Sequence, residues 1–338
     1  MLKRYLIKLS WLVLLLVPLI AFSDDAPQSP DFNNWVELLK KQALSAGISQ
    51  TTIDSAFFNL APIAQTATFR SPTSKLFLDQ YLNIALSDQQ LTYEKNLLQR
   101  FGNILFEISH LFSVEPEVLV AVWSVDNLER KDHQSFPAIE LLVSTTFHEP
   151  QNKQAREELL DALKLLDSKQ VDPASFTSDE NGLLGSVFFK PSILKAYGID
   201  YDEDGKIDVW NDYADILAST ANYLSSIGWK SKNSWGMEVK LPDSINPVSL
   251  DINIQRPVNY WDTQGIRLLD GSELPLDASM ASLIKPEAYS DRILLILDNY
   301  FALLRWKRSH AFALAVGLTV DKLKPVTTDN PTTPFSVN

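Results

Sequence analysis

The sequence predicts a mainly α fold that carries a small β-rich insertion. Apolar residues recur at helical spacing from Phe32 to Ile227. After Trp235 the period drops to two, in Met237-Glu-Val239-Lys-Leu241 and Leu250-Asp-Ile252-Asn-Ile254, and prolines and glycines interrupt as far as Pro275. Helical spacing then returns from Tyr289 to Trp306 and from Ser309 to Leu323.

The chain opens with Lys3, Arg4 and Lys8 before an apolar run from Leu9 to Phe22, and Ala21 and Ser23 place small residues just ahead of Asp24. This is the pattern of a cleaved secretory signal peptide over residues 1–23, and the run is short for a membrane span. Residues 24–31 form a polar, proline-containing linker. The mature protein is therefore expected to be exported to the periplasm and soluble. No cysteine occurs anywhere, which excludes disulfides, zinc–thiolate sites, a cysteine nucleophile and a lipoprotein-type lipid anchor. The formal net charge is −12, and the signal region contributes positive charge only, so the mature chain is more acidic still. Nucleic-acid binding needs a basic footprint and is not expected.

Trp35, Leu38, Leu39 and Ala43 share a helical stripe that stops at Gly47, and Ser49 then caps a short helix through Phe58. Residues 72–86 and 90–112 read as two amphipathic helices, the second weakened but not ended by Gly102. Pro116 opens the next helix in the favoured first-turn position. Leu119, Val122 and Trp123 share a face of it, and Asp126 falls on the same stripe near the C-terminus. A carboxylate there meets desolvation and the negative end of the helix dipole, which favour the protonated form that a general acid needs. An Asp rotated to the rim and bonded to the following turn fits the spacing equally well. Residues 137–166 give two more helices split by Pro150, and Pro173 to Asn181 is a polar loop. In Gly182-Leu-Leu-Gly185 the spaced glycines point to close backbone packing. A helix over 213–227 ends at Gly228, and 324–338 is a disordered tail.

Between these helices Asp200, Asp202 and Asp204 alternate ahead of Gly205 and Ile207, as in a calcium-binding EF-hand loop. The ordinary closing Glu would fall at residue 211, which is Asn, so the next carboxylates, Asp212 and Asp215, imply a longer loop. A solvated acidic turn is the other reading. The histidines at 110, 133, 148 and 310 are scattered without zinc-protease spacing, and no G-x-S-x-G, Walker or dinucleotide motif occurs.

Several stretches together resemble the B-type lytic murein transglycosylases, from about Phe32 to Leu323. They are Ala46-Gly47-Ile48-Ser49, Glu115-Pro116-Glu117-Val118-Leu119-Val120-Ala121-Val122-Trp123, Gly182-Leu-Leu-Gly185 with Phe189-Lys-Pro191-Ser192, and Asp204-Gly205-Lys-Ile207-Asp-Val-Trp210. Further matches are Ala218-Ser-Thr-Ala221-Asn222-Tyr223-Leu224, Gly228-Trp229, Ser234-Trp235-Gly236, Glu238-Val239-x-Leu241-Pro242 and Ala313-Leu-Ala315-Val316-Gly317. The resemblance implies a lysozyme-like helical core over 113–236 holding the EF-hand-like loop. It implies a flanking helical domain over 32–112 completed by 289–323, and a small β-rich module over 237–288. It implies structural calcium at Asp200, Asp202, Asp204, the Lys206 carbonyl and Asp215. It also implies peptidoglycan glycan strands as ligand. In the family reaction one glutamic acid protonates the oxygen between N-acetylmuramic acid and N-acetylglucosamine, then deprotonates the muramyl 6-hydroxyl to close a 1,6-anhydro ring. One carboxyl suffices because the substrate supplies the nucleophile, unlike the two-carboxylate glycosidase scheme.

The chain departs from that pattern at the site. The family's Glu-Ser is Asp126-Asn127, the serine three residues before Gly182 is Asp179, and Gln-x-Gln is Ser186-Val187-Phe188. Tyr-Asn-x-Ser is Trp306-Lys307-Arg308-Ser309, the following tyrosine is Phe312, and only Tyr81 matches a family site tyrosine. Three functions follow. The chain is a transglycosylase working through Asp126, with Glu129 one turn on compensating; or a non-catalytic member that binds glycan strands or a cell-wall enzyme; or a calcium-stabilised structural protein. Loss of the amide and tyrosine groups argues against tight transition-state contacts and favours the second.

Overall fold

The computed structural model describes residues 31–63, 76–128, 134–245, 250–275 and 278–324. The signal peptide, the linker up to residue 30, Glu129 and the tail from residue 325 lie outside the described residues.

The first helical run is α1 (Phe32–Ser45), α2 (Gln50–Ala56), α3 (Leu78–Ala85), α4 (Asp88–Arg100), α5 (Gly102–Phe112) and α6 (Pro116–Leu128). The short strand β1 (Phe136–Pro137) leads into α7 (Ala138–His148) and α8 (Lys153–Asp167), and β2 (Thr177–Ser178) pairs back on β1. Then come α9 (Pro191–Tyr197), α10 (Tyr213–Ser226), β3 (Gly236–Lys240), β4 (Gln255–Pro257), α11 (Val258–Thr263) and β5 (Arg267–Leu268). The chain closes with β6 (Met280–Ile284), β7 (Ile293–Ile296), α12 (Asp298–Trp306) and α13 (His310–Leu323). The architecture is mainly α with small sheets, as the periodicity requires.

Apolar burial divides the molecule into three cores. The largest joins α3 to α6 with α10, α12 and α13, around Leu119, Leu217, Tyr300 and Phe312. A second joins α1, α2, α7 and α8 with the loops on either side of α9, around Ile53, Leu163, Leu184 and Val209. The segment 32–112, read as one helical unit, thus feeds two cores. The third lies under the antiparallel sheet β4-β6-β7-β3-β5, around Trp261, Leu283 and Leu295. Trp123 on α6 and Trp306 at the end of α12 pack against both helical cores, which puts the end of α6 at their seam.

Local chemistry explains the main boundaries. Ser49 and Ser309 cap α2 and α13 through side-chain bonds from Thr52 and Phe312, and the Asp212 side chain accepts from Ala214 and Asp215 to start α10. Gly317 lets α13 approach Trp235, because a Cβ there would lie 2.5 Å from the indole ring.

Three expectations are corrected. The run 90–112 is two helices: α4 ends as the Phe101 N–H reaches Leu97, and α5 restarts with Gly102 in its first turn. The break releases α5 to pack on α10 while α4 packs on α6. Residues 250–254 form a turn instead of a strand, since the Asp251 carboxylate and carbonyl accept the Asn253 and Ile254 N–H groups. The helix expected from Tyr289 begins at Asp298. Ile293-Leu-Leu-Ile296 is β7, flanked by β3 and β6. A central strand buried on both faces loses its alternation, and a short apolar run then reads as helix or strand alike.

Candidate functional site

The last turn of α6 carries Asp126 to the bottom of a groove of about 570 Å³. The residue is 4% exposed, and its carboxylate meets two groups from the far end of the chain. Lys307 Nζ donates to Oδ1 at 2.9 Å, and Trp306 Nε1 donates to Oδ2 at 3.4 Å. The backbone explains the reach. α12 ends at Lys307 in an extended conformation (φ −142°, ψ 123°), which turns the side chain back across the groove with its ammonium 5.2 Å from the Phe312 ring. Of the two readings of Asp126, the buried one holds. The apolar wall expected beside it is instead an ion pair, and a charge-assisted bond of this kind uses the carboxylate as acceptor.

One wall is aromatic. Trp306 lies 5.4 Å from Phe189 and 5.3 Å from Tyr223, ring centre to ring centre, and burial pushes the Tyr223 phenol upward. Phe188 lines the same groove from a left-handed conformation (φ +51°), which costs a bulky residue about 1–2 kcal/mol. That turn is anchored behind the groove. Gly185 (φ +63°) packs so closely that a Cβ would stand 2.5 Å from the Val209 carbonyl oxygen. The Ser186 N–H and hydroxyl both donate to Val209 O, and the Ser186 carbonyl accepts from Asn127 Nδ2 at 3.0 Å.

The structure thus sorts the residues singled out from the sequence. Asp126, Phe188, Trp306 and Lys307 share the groove, and Phe312 is buried beneath Lys307. Asn127 and Ser186 tie α6 to the glycine turn. Asp179 is buried and accepts from the Asn181 and Leu183 N–H groups, so its visible work is to hold the chain entering Gly182. Tyr81 is buried on α3 in the largest core, and neither it nor Asp179 is among the described groove-lining residues.

The acidic loop gathers as expected. Ligand oxygens of Asp200, Asp202 and Asp204 lie within 4.8 Å of one another, an all-oxygen set of the kind hard cations take. Asp200 accepts from the Asp204 and Gly205 N–H groups, and Asp204 accepts from Lys206, whose ammonium turns away to the Lys169 carbonyl at 2.7 Å. Asp215 is buried behind the loop, accepting from Tyr201 N–H and Asp208 N–H at 2.7 Å each. Desolvation pushes its carboxyl up to about 6, with Asp212 and Asp202 adding to the rise against those two bonds.

Sequence reading missed a second carboxyl beside α6. Glu94 on α4 is fully buried, accepting from the Ser124 hydroxyl at 2.6 Å and from Gln90 Nε2 at 3.2 Å, while its Oε2 is buried without a partner among the described residues. Burial pushes this carboxyl above its usual range. The clue available was Ser124 on the apolar face of α6, but nothing in the spacing points from it to α4.

Comparison with known proteins agrees with this fold. The model of the transglycosylase SLT domain matches residues 31–321. Membrane-bound lytic murein transglycosylase B of Escherichia coli (strain K12) is 28% identical over 120 residues, which is 35% of this chain and 33% of that protein. The match therefore spans about a third of the curated relative's length. Among solved structures, SltB3 from Pseudomonas aeruginosa, in complex with NAG-anhNAM-pentapeptide, is 30% identical over 87% of this chain and 80% of its own, with a TM-score of 0.79. SltB1 from Pseudomonas aeruginosa is 20% identical over 86% of this chain and 98% of its own, with a TM-score of 0.71. The family match extends over nearly all of the described residues, and the chain belongs to the transglycosylase SLT domain family, among the B-type lytic murein transglycosylases.

Proposed function

We propose that this protein acts in the periplasm as a peptidoglycan-binding member of its family, holding glycan strands in the groove above Asp126 with strand cleavage reduced or lost. The observation that carries the reading is the Asp126–Lys307 ion pair at 2.9 Å. The family reaction needs one carboxyl to give a proton to the glycosidic oxygen and then take one from the 6-hydroxyl. Here the carboxylate is engaged as an acceptor from an ammonium, and that bond must open before either transfer. Aspartate also withdraws the acid by one methylene, and a misplacement of about 1 Å costs on the order of a hundredfold. Binding asks less. The walls of Phe188, Phe189, Tyr223 and Trp306 offer apolar faces for pyranose rings, and SltB3 is seen with NAG-NAM-pentapeptide. A protein partner among cell-wall enzymes would use the same opening.

One observation favours a working enzyme instead. Asp126, which the family resemblance matches to the acid, is buried in the groove, with the Trp306 indole N–H aimed at it. The acidic loop is read as a structural calcium site, with Asp200, Asp202, Asp204, the Lys206 carbonyl and Asp215 as its holders. Its charge would fasten the turn between α9 and α10 behind the groove.

The test is a digest of purified sacculi by the mature protein, read by mass spectrometry for 1,6-anhydro-muropeptides, with Asp126→Asn, Asp126→Glu and Lys307→Asn alongside. Retention on sacculi without products from wild type is the expected result. Anhydro products from wild type that vanish in Asp126→Asn would replace the binding reading by the enzymatic one. A protein that neither cuts nor pellets with sacculi would leave only a protein partner.

A further inference from the structure

The geometry points to a second binding site, separate from the groove, that takes a single-chain aliphatic anion of the fatty-acid type. A cavity of about 590 Å³ is lined by α2, the start of α7 and the chain that leaves α8. That volume falls in the range of small-molecule sites, roughly 300–1,000 Å³. The cavity shares no described lining residue with the groove above Asp126. Part of its wall is core: Ile139, Val171 and Phe176 are buried members of the second core, and Leu166 packs against that core. Lys169 and Lys206 line it as well, and no carboxylate does among the described lining residues. In a chain with a formal net charge of −12, that local balance favours an anion.

Lys169 stands there under strain. It follows the C-cap of α8 in a left-handed conformation (φ +60°), at the position where helices favour glycine. Strain of this kind persists where the side chain has work to do. Asp167, two residues earlier, gives its carboxylate to Ser49 and Thr52, and the Lys169 ammonium has no hydrogen bond or ion pair among the described residues. Lys206 is strapped alongside: its Nζ donates to the Lys169 carbonyl at 2.7 Å, and the next N–H, of Ile207, donates to the Gln170 carbonyl at 2.6 Å. Thr51 and Ser55, one turn apart on α2, line the same cavity, and neither hydroxyl is bonded among the described residues. An anionic head thus finds two ammonium groups and two hydroxyls, and a run of methylenes finds the apolar wall. Lysine is a point charge on a flexible stem, which suits a carboxylate head without demanding a fixed geometry. Phe176 is the one ring among the described lining residues, so the wall fits a bending alkyl chain better than a flat body.

The experiment is isothermal titration of the mature protein with decanoate, decanol and hexanoate. Decanoate should bind about fivefold more tightly than decanol at low salt, the scale of a partly exposed charge pair. Each methylene added to hexanoate should tighten binding by up to about fourfold. Ser55→Phe puts a ring into the cavity from the exposed side of α2 and should abolish decanoate binding. Lys169→Gly should raise the melting temperature by relieving the left-handed strain, yet bring decanoate down to the level of decanol. A lysine that served only to end α8 would change the melting temperature and leave decanoate affinity as it was. That result overturns the site, as do no binding of decanoate, equal affinity for decanoate and decanol, and decanoate binding that survives Ser55→Phe.

Discussion

Removing Lys307 and removing Asp126 should have unequal costs, because the two ends of their ion pair differ in burial. The lysine side chain is 24% exposed and the aspartate side chain 6% exposed. Lys307→Met takes a charge partner from a nearly buried carboxylate in the groove. Breaking a buried pair this way costs about 3–5 kcal/mol, and the wet lysine end points to the lower limit, about 3 kcal/mol. Asp126→Asn leaves an ammonium that can swing into the groove, and an amide that can still accept from Trp306, so its cost should be about 1 kcal/mol. The double variant should cost about 1–2 kcal/mol, giving a coupling of about 2 kcal/mol. Urea unfolding of the four proteins measures the cycle. Equal single costs with a coupling below about 0.5 kcal/mol would mean that the pair is a solvated surface contact, and the argument that it withholds the carboxylate would fail with it.

Three further outcomes can be checked on the same protein. Gly185→Ala must place a Cβ 2.5 Å from Val209 O at φ +63°, and should lower stability by about 3 kcal/mol or more in urea unfolding; a loss under about 1 kcal/mol would show that the turn gives way. Burial raises the Glu94 carboxyl above its ordinary 4.5, so above that pH the folded protein keeps a proton that the unfolded chain has lost. Its contribution to stability therefore falls as pH rises from 4.5 through the folded value, and Glu94→Gln should gain on wild type across that window. A stability difference flat with pH would refute this. Calcium should raise the melting temperature, with no rise in Asp202→Ala, and a wild-type melt indifferent to EDTA would remove the metal.

Much of the helical frame was legible because its signals are local. Ser49, Pro116, Ser309 and the run at Asp212 each start a helix with side chains adjacent in sequence. What failed depended on distant partners. Ile293 to Ile296 became a strand because β3 and β6 lie on either side of it, and Gly102 became a helix start because α5 packs chiefly on α10 and α4 chiefly on α6. The same division holds at the site. The stripe on α6 placed Asp126 on a buried face, and the loop spacing gathered Asp200, Asp202 and Asp204. No pattern on α6 could announce that Lys307 would be the counterion, or that the Ser186 hydroxyl would turn to the Val209 carbonyl.

The distance along the chain between the two halves of the ion pair has a consequence for order in time. The ammonium belongs to a residue 181 positions after the carboxylate it meets. Synthesis runs from the N-terminus, so α6 is made long before α12. Throughout that interval the partly made protein has the acid without its counterion, and the aromatic wall without Trp306. Only when the final two helices dock, seating Phe312 under Lys307, is the groove closed and the carboxylate engaged. The last segment synthesised is thus the one that finishes the binding surface, and a chain truncated before α12 would retain Asp126 on α6 with nothing to restrain it from that side.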